Sequence, residues 1–100
     1  MYNIEQLKML VLCAELGSFS ACARNLGKVQ SAVSQGIANL EIDLVLQLFD
    51  RNTRKPTLTV DGQRVYQYAK AVLFQTSELD KVVISITKQE ESIIKHGVFQ

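Results

Sequence analysis

Over the first 45 positions apolar residues recur three and four apart, the period of helices that each bury one face. Ile4, Leu7, Leu10, Val11 and Ala14 make the first stripe, opened by Asn3 as N-cap with Gln6 in capping-box position. Leu16-Gly17 ends it, because Gly suits the left-handed position after a helix. Ser18 caps a second helix whose Phe19, Cys22, Ala23 and Leu26 face inward, and Gly27 closes it after about two turns. A third helix runs from about Gln30 to Leu44, with Val33, Ile37, Leu40 and Leu44 as its apolar line. Its other side shows Gln30, Ser31, Ser34, Gln35, Ala38 and Asn39.

After Leu44 the period changes. In "LQLFDRNTRKPTLTV" apolar and polar residues alternate, which predicts two short strands. Leu46, Leu48 and Phe49 belong to the first, Leu58 and Val60 to the second, with a basic turn from Asn52 to Pro56 between them. Pro56 donates nothing to a ladder, so it belongs in the turn or at an edge.

From Thr59, a candidate N-cap, helical spacing returns for about thirty residues. Val65, Ala69, Val72, Thr76, Leu79, Val83, Ile86 and Ile93 fall four and three apart, with Glu90 the one charged intruder. That is an a/d seam over roughly four heptads. A helix of such length, about 45 Å, cannot bury its seam on the preceding residues alone. It implies a partner helix, most simply from a second copy. The closing "KHGVFQ" reads as a Gly97 stop and the start of a strand at Val98-Phe99. The expected organisation is a head over 1–58, a dimerising helix over 59–90 and, over 91–100, the beginning of a truncated hinge.

Composition narrows the possible partners. The chain has 100 residues, 47% of them apolar, enough for one domain with a real core. Net charge is +1, so no global field announces a polyanion. Residues 1–60 carry six Lys/Arg against five acids, and residues 61–100 five of each. A basic patch must therefore be local, and Arg51, Arg54 and Lys55 are its one cluster. There is no basic leader followed by an apolar stretch and no run of membrane-spanning length, so the expected setting is cytoplasmic, with no membrane partner. Cys13 and Cys22, nine apart, match no metal spacing and read as small buried residues in a reducing compartment. No Ser, Cys or carboxylate can be placed beside the single His96, and no glycine loop or ligand cluster is present. No enzyme is expected, and no cofactor in this chain.

Ala23, Gly27 and Val33 stand at offsets that a helix-turn-helix requires. A small residue lets the two helices approach, a residue of positive φ turns the chain, and an apolar plug returns to the first helix. With a helix before and a basic hairpin after, the pattern is a winged helix. Gln30, Ser31, Ser34 and Gln35 then occupy the first turns of a helix that enters a major groove in this motif. Gln pairs in bidentate fashion with adenine and Ser serves either base type. Phosphates would fall to Arg51, Arg54 and Lys55, with Lys28 at the turn and Ser18 and Ser20 beside a helix N-terminus.

These motifs resemble the N-terminal domain of LysR-type transcriptional regulators over about 90 of the 100 residues. The similar stretches are "NIEQLKMLVLCAELGSFSACARNLG", "QSAVSQGIANLE", "LFDR" where the family has Leu-Phe-Glu-Arg, and "LTVDGQ" leading into the linker helix. The resemblance implies a mainly α winged helix-turn-helix, with three helices and a β-hairpin wing, followed by a long dimerising linker helix. It implies base reading by Gln30, Ser31, Ser34 and Gln35. It also implies phosphate or minor-groove contacts from Arg51 and Arg54, and further backbone contacts from Ser18 and Ser20. The implied partners are double-stranded promoter DNA, a homodimer through Val65, Ala69, Val72, Thr76, Leu79, Val83 and Ile86, and a tetramer in the full-length protein. A small-molecule effector would bind only a missing C-terminal domain.

Several positions depart from the family pattern. Val29 replaces the usual Ser or Thr cap of the recognition helix, which is either lost or replaced by Gln30 or water. Lys28 stands where an apolar residue is common, leaving Val29 as the candidate to fill that pocket. Gln35 removes a charge often supplied by Arg, which shifts base preference away from guanine. Gly36 costs the helix about 1 kcal/mol relative to Ala and permits a close approach. Val45 replaces a Gly and would be strained at positive φ. A different class of function, a dimerising module that modulates a related regulator without reading DNA, stays compatible with the weak basicity. Mutation of Arg54 and Lys55 separates the two.

Overall fold

The computed structural model describes the backbone of residues 1–95 and the side chains of residues 1–89. Four helices and one hairpin follow in the order α1 (Ile4–Leu16), α2 (Phe19–Leu26), α3 (Gln30–Leu44), β1 (Phe49–Asp50), β2 (Thr57–Leu58) and α4 (Val60–Lys95).

Local chemistry sets most boundaries. Asn3 Oδ1 accepts from the Gln6 amide and Gln6 Oε1 from the Asn3 amide, each at 2.9 Å, which closes the capping box of α1. Ser18 Oγ accepts from the Ala21 amide at 3.1 Å and caps α2. Gly27 ends α2 at φ 67°, and the Lys28 amide returns to the Ala23 carbonyl at 2.9 Å. Val29 caps α3 with no side-chain hydrogen bond, so neither Gln30 nor another side chain replaces the lost cap. Val29 is 67% exposed, so it does not fill the turn pocket expected of it. At the other end Val45 adopts φ 55°, ψ 42°, the left-handed conformation that a β-branched residue resists.

The core forms where α1, α2 and α3 meet the start of the hairpin. Leu10, Cys13, Cys22, Val33, Ile37, Leu40, Leu48 and Phe49 are completely buried. Ala23, at 3% exposure, gives α2 and α3 their close approach, and Val33 is the plug. Ile4 was expected in the first stripe but, in the opening turn of α1, is 39% exposed. Met9, outside the expected stripe, is buried: a Cβ on Gly36 would lie 2.6 Å from the Met9 sulfur, so Gly36 does permit a close approach. Burial pushes the Cys13 thiol well above its ordinary pKa, and the adjoining Cys22 adds to the shift, so this thiol stays protonated.

The hairpin is shorter than the alternating pattern suggests. Its ladder pairs Phe49 with Leu58 and Asp50 with Thr57 only. Leu46 and Leu48 precede it, and Val60 is the first residue of α4, not a strand residue. The Thr59 amide bonds to the Leu48 carbonyl at 2.9 Å, and Thr59 Oγ1 caps α4 by accepting from Gly62 at 2.9 Å. Gly62 is required there, since a Cβ would fall 2.1 Å from the Leu48 carbonyl oxygen.

α4 has 36 residues, about 54 Å at 1.5 Å per residue, and it makes the molecule 66 Å long against 25 and 21 Å across. Its first turns lie against α1, where Tyr66 donates to Glu15 at 3.0 Å and Ala69 is 2% exposed. Residues 91–95 continue this helix past the expected end of the dimerising segment at residue 90. The Gly97 stop and the Val98-Phe99 strand lie outside the described residues. Among the described residues, no helix is long and apolar enough to cross a membrane.

Candidate nucleic-acid interface

Three short segments far apart in sequence meet on one side of the head. α3 presents Gln30, Ser31, Ser34, Gln35 and Ala38 along a shallow concavity of 630 Å³, and Arg51 from the hairpin closes its edge. Gln30, Ser31 and Gln35 are exposed, while Ser34 is half-buried. Gln35 Nε2 donates to Asn39 Oδ1 at 2.9 Å, an i,i+4 bond that orients the Gln35 amide along the helix.

A second concavity, of 420 Å³, adjoins the first through Gln30 and gathers Ser18, Ser20, Arg54 and Lys55 with Gly17, Phe19 and Pro56. The fold thus brings two cations of the hairpin turn against the N-terminal turn of α2. Ser18 Oγ uses one of its two lone pairs on the Ala21 amide and keeps its hydroxyl proton to donate. Ser20 Oγ accepts from Arg24 Nη1 at 3.0 Å, which adds a third cation to this border. Arg54 and Lys55 are exposed on the turn, whose shape is set by Asp50 accepting the Asn52 amide and Thr53 bonding the Lys55 carbonyl. Lys28 is exposed at the α2–α3 turn and lines neither concavity.

Arg51 differs from its neighbours on the turn. Its Nη2 pairs with Glu41 Oε1 at 2.8 Å, and its guanidinium carbon lies 5.7 Å from the centre of the Phe19 ring. Sequence reasoning grouped it with Arg54 and Lys55, whereas the fold seats it at the edge of α3. Glu41 was missed altogether. Its only sequence signal is a carboxylate ten positions before an arginine, across a change of period, and that spacing says nothing of contact.

The predicted seam divides. Ala69 is buried and Val65 half-buried in the chain's own core, so neither is free as a whole side chain for another helix. Val72, Leu79, Val83 and Ile86 are 41%, 61%, 50% and 50% exposed, and Thr76 is half-buried. Thr76 Oγ1 donates to the Val72 carbonyl at 2.9 Å, which satisfies its hydroxyl within α4. Among the described residues, no group of His, Cys, Asp and Glu is placed to hold a metal ion.

Comparison with known proteins places this arrangement. Residues 4–63 match the family described as bacterial regulatory helix-turn-helix protein, lysR family. The HTH-type transcriptional regulator AceR of Acinetobacter baumannii is 51% identical over 76 residues, 76% of this chain and 26% of that protein. The HTH-type transcriptional activator TtdR of Escherichia coli K12 is 37% identical over 93 residues, 93% of this chain and 30% of its own length. The chain therefore spans under a third of these relatives. Among solved structures, the BenM_DBD/benA site 1 DNA complex is similar with a TM-score of 0.82 at 30% identity, covering 85% of this chain and 96% of that one. Oxidized OxyR of Corynebacterium glutamicum gives 0.77 at 30% identity over 83% of this chain and 27% of its own. The helix-turn-helix, its wing and the helix beyond it identify the chain as a member of the LysR family of bacterial regulatory helix-turn-helix proteins.

Proposed function

We propose that this chain is the sequence-specific DNA-binding module of a transcriptional regulator and that it works as a dimer on promoter DNA. One observation carries the reading: the polar face of α3 and the Ser18, Ser20, Arg54, Lys55 surface adjoin on one side of the head. Gln30, Ser31, Ser34 and Gln35 read base edges in the major groove, and Arg51, Arg54 and Lys55 take phosphates or the minor groove, with Ser18, Ser20 and Lys28 as further backbone donors. The low net charge is no obstacle, because Arg51, Arg54 and Lys55 are gathered on the reading side.

Dimerisation runs through the outer seam, Val72, Thr76, Leu79, Val83 and Ile86, with Val65 and Ala69 as its inner end. The exposure of four large apolar residues in one stripe supports it. The dimer presents two α3 helices to a pseudo-palindromic site. In the whole protein the effector and any tetramer contacts belong to other parts of the chain. The setting is the cytoplasm, and the module carries out no catalysis and uses no cofactor.

Gel shifts and anisotropy titrations on a duplex recovered by genome-wide pull-down test the proposal. At ~150 mM salt, where the Debye length is about 8 Å, binding to that duplex is expected to exceed binding to scrambled DNA. Raising salt should weaken both steeply as counterions are released. Equal affinity for the two duplexes overturns sequence-specific reading. Unchanged promoter binding by the Arg54→Ala, Lys55→Ala double variant supports instead a module that only pairs with a related regulator.

A further inference from the structure

We infer that Glu41 is a positioning residue for DNA binding: it clasps Arg51 and holds that guanidinium at the rim of the α3 reading surface, aimed at a phosphate flanking the bases. The inference rests on the proposed DNA-binding role and adds to it a residue of the wrong charge for the task.

A carboxylate beside a polyanion site needs a reason. Glu41 lies on α3 with its side chain only 14% exposed, and both its oxygens accept hydrogen bonds. Oε2 accepts from the Leu48 amide at 2.7 Å and from the Phe49 amide at 3.2 Å, while Oε1 accepts from Arg51 Nη2 at 2.8 Å. One side chain therefore ties the recognition helix to three residues in and around β1, Leu48, Phe49 and Arg51. Charge-assisted bonds of this kind are short and directional.

Arg51 is held from a second direction by Phe19, whose ring meets Phe49 edge-on with centroids 5.4 Å apart. Carboxylate and ring together fix a side chain that otherwise has several rotatable bonds. Glu41 takes one of its five N–H donors, and no other acceptor within the described residues takes another. The guanidinium stands at the edge of the concavity lined by Gln30, Ser31, Ser34 and Gln35. Arg54 and Lys55, by contrast, have no side-chain partner among the described residues and must be ordered by DNA itself. A cation already in place loses less conformational freedom on binding.

The sign of one substitution decides the matter. Glu41→Gln keeps an acceptor for the strand amides and removes a negative charge, so electrostatics alone predicts tighter binding. The positioning role predicts the opposite, an affinity loss of about fivefold, because the Gln amide no longer holds the guanidinium. Arg51→Ala should weaken cognate and scrambled duplexes alike, by about tenfold, and lower the salt slope by about one phosphate contact. In the Arg51→Ala background, Glu41→Gln should cost nothing further.

Anisotropy titrations of the four proteins on both duplexes at several salt concentrations read these outcomes, with circular dichroism melts confirming that each is folded. Tighter or unchanged binding by Glu41→Gln, or an equal loss in the Arg51→Ala background, overturns the inference. If Glu41→Gln does not fold, Arg51→Lys takes its place: it keeps the charge but not the fork, and full affinity in that variant overturns the inference equally. Failure of the wild-type chain to prefer the recovered duplex would instead overturn sequence-specific reading. A phosphate-directed Arg51 would still show its loss on scrambled DNA.

Discussion

In the head, Leu10, Val33, Ile37, Leu40, Leu48 and Phe49 are completely buried, whereas along α4 beyond Ala69 the apolar Val72, Leu79, Val83 and Ile86 are 41–61% exposed. Both regions carry apolar residues at helical spacing, and both are helical. They differ in whether the chain can fold back on itself. Short connections at Gly17, Gly27 and Val45 return each helix of the head to its neighbours, so every stripe finds a face opposite. α4 has no such turn within its 36 residues, and only its first turns reach the head, through Val65 and Ala69. Identical periodicity thus specifies a core in one place and an exposed apolar stripe in the other.

The comparison breaks first at Phe49. Phe49→Ala removes a fully buried ring that also supports Phe19, and should cost the head about 3–5 kcal/mol in thermal or denaturant unfolding. A cost under about 1 kcal/mol, the range of ordinary surface changes and weak contacts, would show that the head is not the self-contained unit described. The next effect belongs to the arm. Leu79→Asp should raise the dimer dissociation constant by about tenfold or more, since burying one leucine is worth roughly 1.5–3 kcal/mol. The melting of the head should hardly move. Sedimentation equilibrium reads the first quantity and circular dichroism the second, and an unchanged dimer would remove Leu79 from the seam.

The smallest effect lies at the joint after α3. Val45→Gly relieves a left-handed backbone that costs an L-residue about 1–2 kcal/mol, partly offset by the freedom glycine gains in the unfolded chain. A net stabilisation of about 1 kcal/mol in the melt is expected, with dimer dissociation unaffected. A lower melting temperature would mean that the Val45 side chain, 85% exposed, contributes more than its backbone loses.

The legible parts of the molecule are those governed by contacts within a few residues. The capping box at Asn3 and Gln6, the Ser18 and Thr59 caps, the glycine turn at Gly27 and the inward stripe of α3 all follow from chemistry three or four positions apart. Departures from the family pattern raised a lost cap at Val29 and strain at Val45 as expectations, and α3 has no side-chain cap at Val29 and a left-handed Val45. The exposed Ile4, the two-residue strands and the run of α4 past residue 90 were not visible. Periodicity states which face is apolar but not how far a neighbouring element extends to cover it.

For the candidate interface, polar residue types on a helix-turn-helix pattern marked Gln30, Ser31, Ser34 and Gln35 as a reading face, and charge marked Arg51, Arg54 and Lys55 as the cationic cluster. Tertiary structure decided which of them share a surface. It set Arg54 and Lys55 against Ser18 and Ser20, left Lys28 apart, and moved Arg51 from the wing to the rim of α3 under Glu41 and Phe19. Sequence determined the helices and their caps, because these depend on backbone and nearest neighbours. Only the packed fold decided the Glu41–Arg51 clasp and the division of the seam at Ala69, because both join residues whose distance apart along the chain carries no information about their distance in space.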